Sequence, residues 1–239
     1  MAHKISVLVS ARNDSKFLAK FLINYFANTH NLRDTELLVM TTETDTWNSE
    51  LIWFFSDRFG VKFYSENYQL GRSGLHKYFN DLADHASGDW LIYFCEDHNI
   101  IKPGWDQEVR GFITRNDMDP EKIYTIVPKF DNVGAMNHIV SRGFVDALGG
   151  KIGRHGWIDS YINELNETVF GDHSERVRRM DEELFHDFSH DHPNPMEQGN
   201  SQSPVGLDGT ELPKFKDPII RLRIEKDANK FKEALEAGK

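Results

Sequence analysis

Six consecutive apolar residues, Trp90–Cys95 (WLIYFC), run directly into four polar or charged ones, Glu96-Asp97-His98-Asn99. A run of that length and β-forming composition suits a strand covered on both faces, and such strands belong to sheets flanked by helices. The abrupt change puts carboxylates and an imidazole at the strand's carboxyl end. Open α/β sheets carry their ligand crevice there. Two carboxylates beside an imidazole repel and strain one another unless a cation binds among them.

The flanking sequence alternates strand and helix signals. Ile5–Ser10 reads as a strand, and Phe17, Leu18, Phe21, Leu22, Tyr25 and Phe26 mark one helix face, with Asp14 or Ser15 as its N-cap. Glu36–Thr41 reads as a second strand. Asp45 then opens a helix with Trp47, Leu51, Ile52, Phe55 and Phe59 inward, closed by Gly60. Val61–Tyr64 is a third strand, and Gly71 and Gly74 precede a helix through Leu75, Tyr78, Phe79, Leu82 and Ala86. Beyond Pro103-Gly104 the pattern predicts a helix from Trp105, a strand at Lys122–Val127, and helices over Ser141–Leu148 and Trp157–Leu165. Residues Pro193–Pro213 read as a long loop, and loops of that length are usually lids or disordered. Asp217-Pro218 caps a last helix with Ile220, Ile224, Ala228, Phe231 and Leu235 on one stripe. The expected fold is α/β, a Rossmann-like, mostly parallel central sheet flanked by helices, with a C-terminal loop and helix.

The chain of 239 residues carries 38 acidic and 28 basic residues, for a formal charge of −10. That balance argues against a nucleic-acid binder, which needs a basic stripe. It also repels any phosphate-bearing substrate, so a phosphate-handling reading requires a metal site. No apolar run approaches the roughly 18 residues of a membrane span, so no transmembrane segment is expected. Met1-Ala2-His3-Lys4 leads directly into the first strand without a signal-peptide core, and Cys95 is the single cysteine. The expected compartment is the cytoplasm.

Gly88-Asp89-Trp90, the apolar run, the acidic cluster and Pro103-Gly104-Trp105 together resemble the heart of family-2-like GT-A glycosyltransferases. Those enzymes have a Gly-acidic-aromatic start, a hydrophobic strand, a D-x-D triplet and a Pro-Gly soon after. Asn67…Gly71…Asn80…Ala86 resembles the stretch that precedes that strand, and Ser6–Asn13 and Glu36–Asp45 resemble the first two strand-loop units. The resemblance covers roughly residues 4–165. It implies a GT-A-like domain over 1–192, with a nucleotide-sugar half to about 105 and an acceptor half from about 106, then a loop or lid at 193–216 and a helix at 217–239. It implies metal-dependent transfer from a nucleoside-diphosphate sugar, foremost a UDP-sugar, to an acceptor hydroxyl on a carbohydrate, lipid or protein. The donor-binding candidates are Ala11, Arg12, Asn13, Thr41, Thr42, Gly71, Arg72 and Asp97. Thr41-Thr42 departs from the aspartate that usually ends the second strand.

Counting back from Pro103-Gly104 puts Glu96 and His98 at the ends of the triplet, while counting forward from Gly88 puts Cys95 and Asp97 there. An acidic-x-His triplet is similar to that of the polypeptide N-acetylgalactosaminyltransferases, whose histidine binds manganese. The metal candidates are Glu96, Asp97 and His98, joined by His190 or His192 from the late cluster His186–His192. Mn²⁺ is the expected cation and Mg²⁺ the second choice. The late cluster also reads as a solvated loop, or as a Zn²⁺ site of its own. Asp159, after the Gly-rich Gly149–Gly156, is the candidate catalytic base and equally a helix N-terminal aspartate favoured by the dipole. Trp157 is a candidate acceptor platform or plain core. Two other functions compete: a metal-dependent nucleotide-sugar hydrolase or nucleotidyltransferase, and a non-catalytic nucleotide-sugar binding module.

Overall fold

A computed structural model describes residues 3–11, 15–42, 49–66, 74–96, 98–130, 137–171, 175–187 and 217–238. The strands are β1 (Ile5–Ser10), β2 (Thr35–Thr42), β3 (Lys62–Glu66), β4 (Trp90–Cys95), β5 (His98–Ile100), β6 (Thr125–Phe130), β7 (Ile139–Ser141) and β8 (Val177–Asp187). The helices are α1 (Ser15–Asn28), α2 (Ser49–Phe59), α3 (Leu75–His85), α4 (Trp105–Arg115), α5 (Arg142–Ala147), α6 (Ile158–Phe170) and α7 (Pro218–Glu236). All eight strands form one mostly parallel sheet, ordered β3-β2-β1-β4-β7-β6-β8-β5. The first four run parallel, joined by helical crossovers, and β7 and β5 run against the rest.

Alternation along the central strands sends side chains into two cores. Ile5, Val7, Val9, Trp90, Ile92 and Phe94 meet α1, α2 and α4 on one face. Leu8, Leu91 and Tyr93 meet α3, α5, α6 and α7 on the other. Both faces of β1 and β4 are thus covered, as their unbroken apolar runs require. The final helix belongs to this second core: Asp217 caps it by accepting from the Ile219 N–H at 2.8 Å. Phe231 is fully buried and meets Phe144 edge-on with ring centroids 4.9 Å apart.

The amino ends of the parallel strands are pinned by Glu36. Its carboxylate accepts from the Ser6 hydroxyl at 2.6 Å, from Ser87 and from the Lys62 ammonium at 2.8 Å. Burial alone would raise its pKa, but these donors outweigh it and hold the group at about 2. Gly88 sits so close to β1 that a Cβ there would lie 2.6 Å from the Ser6 nitrogen. No side chain larger than hydrogen fits at that position.

The sheet must curl. β4 and β5 are joined by only two residues, yet β7, β6 and β8 lie between them in the sheet. The link reaches at most about 11 Å, whereas four flat strand spacings would span about 19 Å. The curl brings Phe185 of β8 against Phe94 of β4, edge-on at 5.0 Å. Glu96, directly after β4, therefore lies where the sheet folds over.

Several elements differ from the sequence expectation. The strand expected at Lys122–Val127 runs from Thr125 to Phe130, and β5, β7 and β8 were not anticipated. Three-residue strands carry too little periodicity to see. In β8 the register slips between Val127 and Phe130 of its partner, so Leu184 and Phe185 both face one core and parity breaks. Phe59, expected inward, is 45% exposed and packs at the rim on Phe26 at 4.5 Å. The calls on Asp14, Asp45, Trp47 and the 193–213 loop lie outside the described residues.

Candidate active site

The sheet's carboxyl end gathers polar groups from four elements. Asp159 stands in the first turn of α6, where a carboxylate suits the helix dipole. Its Oδ1 accepts from the Tyr93 hydroxyl at 2.6 Å and the Asn137 backbone N–H at 2.8 Å, and lies 3.3 Å from His138 Nδ1. His138 Nδ1 is also 3.1 Å from the Tyr93 oxygen, and its Nε2 is 2.8 Å from Asn163 Oδ1 one turn further along α6. Every hydrogen bond that described residues give this carboxylate falls on Oδ1, and Oδ2 receives none of them.

The electrostatics follow from these contacts. Burial pushes the Asp159 pKa up, but the hydrogen bonds from His138 and Tyr93 and the electrostatic influence of the His138 and His98 rings hold it below the usual carboxylate value. Tyr93 moves the other way: burial and the adjacent carboxylate raise it well above the ordinary phenol, so it stays a donor. Asp159 is nonetheless only partly enclosed, with 24% of its side chain exposed. It is a carboxylate kept charged, oriented on one oxygen and open to solvent.

Asn137 ties this carboxylate to the acidic-histidine motif. Its backbone takes a positive φ of 53°, which asparagine tolerates better than most residues. Its side-chain amide donates to the Tyr93 carbonyl at 3.0 Å and to His98 Nδ1 at 3.0 Å. His98 is buried in β5, and because the amide donates, Nδ1 accepts and the ring proton sits on Nε2. Asn137 Oδ1 is buried without a hydrogen-bond partner among the described residues. An orphaned oxygen on the residue that meets the His98 imidazole fits a divalent cation that accepts mixed oxygen and nitrogen ligands, and the half-buried Glu96 directly follows β4. Ligation through His98 Nε2 requires that ring proton to leave or move.

Among the described residues no group of three acidic, histidine or cysteine side chains is arranged to hold a metal. Asp97, His190 and His192 lie outside them. The backbone nonetheless joins the two clusters: β5 pairs with β8 so that His98 stands opposite Asp187 and Asn99 opposite His186. His186 and Asp187, the described start of the late cluster, thus lie one strand spacing, about 4.8 Å, from β5.

Of the donor-binding candidates, Ala11 directly follows β1, the neighbour of β4, and Thr41 stands near the end of β2, one strand further out. Ala11 is buried and its N–H donates to the Met40 carbonyl at 2.9 Å. The Thr41 hydroxyl donates to the Tyr64 carbonyl at 3.1 Å, which binds β2 to β3. Thr42 closes β2, and Arg12, Asn13, Gly71 and Arg72 lie outside the described residues. Trp157 is the half-buried residue before α6, and its N–H donates to His155 Nδ1 at 3.2 Å. The loop ahead of it is clamped by the buried Asn80, whose Oδ1 accepts from the Ile152 N–H at 2.9 Å and the Gly153 N–H at 3.3 Å. The Asn80 amide returns a bond to the Gly153 carbonyl at 2.9 Å.

Sequence reasoning missed Tyr93, Asn137 and His138. Tyr93 is hidden inside an apolar run, where only its hydroxyl signalled a need for a partner. The Asn137-His138 pair fell between two recognised elements. A polar pair directly before the apolar Ile139-Val140 was the one available signal.

No family model matches the sequence, and no curated protein sequence matches it. Solved structures do match the fold. The structure of S. aureus TarS superimposes with a TM-score of 0.57 at 12% identity, over 77% of this chain and 36% of that one. TarS 1-349 in complex with UDP-GlcNAc gives 0.59 at 13%, over 77% and 58%. The mannosyltransferase PcManGT from Pyrobaculum calidifontis, in complex with GDP-Man and Mn²⁺, gives 0.59 at 13%, over 99% and 75%. The chain thus spans between about a third and three fifths of the TarS chains it matches. It shares with all three the α/β fold expected of a GT-A-like protein. No helix among the described residues is long and apolar enough to cross a membrane.

Proposed function

We propose that this chain is a GT-A-type glycosyltransferase that moves a sugar from a nucleoside-diphosphate sugar to an acceptor hydroxyl. The observation that carries this reading is Asp159, a charged, single-side-anchored carboxylate linked through Asn137 to His98 of the strand-end motif. A base and a diphosphate-handling motif within one hydrogen-bonded cluster are what an inverting transfer needs. The UDP-GlcNAc of one structural neighbour and the GDP-Man and Mn²⁺ of another support the donor class and the cation.

In this mechanism the acceptor oxygen attacks the anomeric carbon while Asp159 Oδ2 takes its proton. Tyr93, Asn137 and His138 fix the carboxylate's rotation through Oδ1, so Oδ2 faces the incoming hydroxyl. Glu96, Asp97 and His98, with His190 or His192, would hold Mn²⁺ or Mg²⁺. Such a cation stabilises negative charge on the departing diphosphate. Ala11, Arg12, Asn13, Thr41, Thr42, Gly71 and Arg72 are the proposed donor contacts, and Trp157 the proposed acceptor platform. The 193–216 segment, outside the described residues, is proposed as the lid over the donor, and the single cysteine supports a reducing, cytoplasmic setting.

The test is turnover of UDP-GlcNAc, UDP-glucose and GDP-mannose with Mn²⁺ over an acceptor panel, for the parent and Asp159→Asn. The expected result is acceptor-dependent release of nucleotide that falls about 100-fold or more in Asp159→Asn while donor affinity is kept. Equal nucleotide release with and without acceptor would assign hydrolysis instead. Full activity of Asp159→Asn would remove the base.

A further inference from the structure

A second concave site lies away from the carboxylate cluster. A cavity of about 400 Å³ opens between the first turns of α3, the loop before α6, and α7. Five cationic side chains line it: Lys77, Lys151, Arg154, Arg223 and Lys226. Asp227 is the one carboxylate among the described residues that line it, and its charge is already engaged, while Asp81 lies within electrostatic reach of Lys77 and Lys151. It takes Arg154 Nε at 2.5 Å, lies 3.3 Å from the Lys230 ammonium, and accepts the Tyr161 hydroxyl.

The local charge therefore runs against the whole molecule, which carries −10. Cations facing one void repel each other and cost stability unless an anion occupies it. Arg223 and Lys226 stand three apart on α7 and so project side by side, opposite Lys77 and Lys151 from other elements. The volume is too large for a lone ion and lies within the roughly 300–1,000 Å³ of small-molecule pockets. The walls are fixed, since Asn80 clamps the loop at Ile152 and Gly153, and Arg154 is held by Asp227.

The cavity is separate from the Asp159 cluster. Asp159 and Tyr161 are two residues apart on α6, so their side chains diverge by about 200° around the helix axis. One meets Tyr93 and the other meets Asp227.

We infer that this cavity binds a phosphate-bearing molecule, through the lysines and Arg223 as charge partners and Arg154 as a fixed wall. Guanidinium and ammonium donors converging on one void suit a phosphate ester or diester better than a neutral sugar. The phosphate belongs either to a phosphorylated acceptor, which rests on the transferase reading, or to a free phosphate compound acting as an effector.

The experiment is calorimetric titration of inorganic pyrophosphate into the full chain in EDTA, for the parent, Arg223→Ala/Lys226→Ala and Glu96→Gln. Saturable, salt-sensitive binding that weakens about tenfold or more in the double variant, and is unchanged in Glu96→Gln, supports the site. The double variant's melting temperature without ligand should hold or rise, because repulsion is relieved. No binding up to about 10 mM, or equal affinity in parent and double variant, overturns the inference. So does a loss confined to Glu96→Gln, which would put the anion at the motif. A sugar phosphate offered as acceptor then separates the sources. A raised KM at unchanged kcat in the double variant marks a phosphorylated acceptor, and pyrophosphate-altered turnover of a neutral acceptor marks an effector. Binding is read without turnover, so a chain that transfers no sugar still passes or fails this test.

Discussion

The hydroxyl of Tyr93 donates to Oδ1 of Asp159 across 2.6 Å, fastening the central strand to the first turn of α6. This bond, with those from His138 and Asn137, helps set both the position and the charge state of the proposed base. The depressed pKa keeps Asp159 ionised, and therefore able to accept a proton, to a lower pH than an ordinary aspartate. Tyr93→Phe removes a donor to the charged form, so the Asp159 pKa rises. The acid limb of the kcat–pH profile should then move to higher pH. A limb that stays in place or moves down would detach Tyr93 from the base.

Metal dependence is the second expectation. Donor binding followed by fluorescence or calorimetry should weaken about tenfold or more when EDTA replaces Mn²⁺. His98→Ala should reproduce most of that loss in Mn²⁺ with little change in melting temperature. Donor affinity indifferent to EDTA would take the cation out of the mechanism.

Glu36 gives a pH-dependent stability with a definite sign. Its pKa is about 2 in the folded chain against an ordinary 4.5, so the folded state prefers the charged form. The stabilisation is full above pH 4.5 and is lost as pH falls from there toward about 2. Urea unfolding of Glu36→Gln should show a loss of about 2 kcal/mol at neutral pH and a flatter acid dependence. A parent and variant that lose stability in parallel on acidification would place the acid sensitivity elsewhere.

Asn80 supports the loop that leads to Asp159. Asn80→Ala leaves the Ile152 and Gly153 amides buried without their acceptor, at a cost of about 1–3 kcal/mol. The loss of kcat should exceed the loss of donor affinity, because the loop positions the base. Unfolding midpoints and steady-state kinetics together check this, and parent-like values of both would make the clamp dispensable.

The parts of the fold legible in the sequence were those with one strong rule. Trp90–Cys95 is apolar throughout because both its faces are covered, and α7 shows its buried stripe at Ile224, Ala228 and Phe231. β8 was illegible because bulges break its alternation and charges crowd its exposed side. At the site, Asp159 could be named from a Gly-rich loop followed by a helix start. Its partners could not, since Tyr93 and His138 reach it from other elements, and hydrogen bonds between elements leave no periodicity along the chain. The calls on Arg12, Asn13, Gly71, Arg72, Asp97, His190 and His192 fall outside the described residues.

The strand order also sets a timetable for synthesis. The parallel block β3-β2-β1-β4 closes through neighbouring crossovers, so it can condense while the rest of the chain is still emerging. β5 follows it at once but has β8 as its sole neighbour in the sheet, and β8 is the last strand described. Bringing them together closes a long loop, the slow kind of contact. A nascent chain that ends before Val177 carries the parallel block without the strand that pairs beside His98. The β5–β8 pairing is thus among the last parts of the described sheet that synthesis can complete.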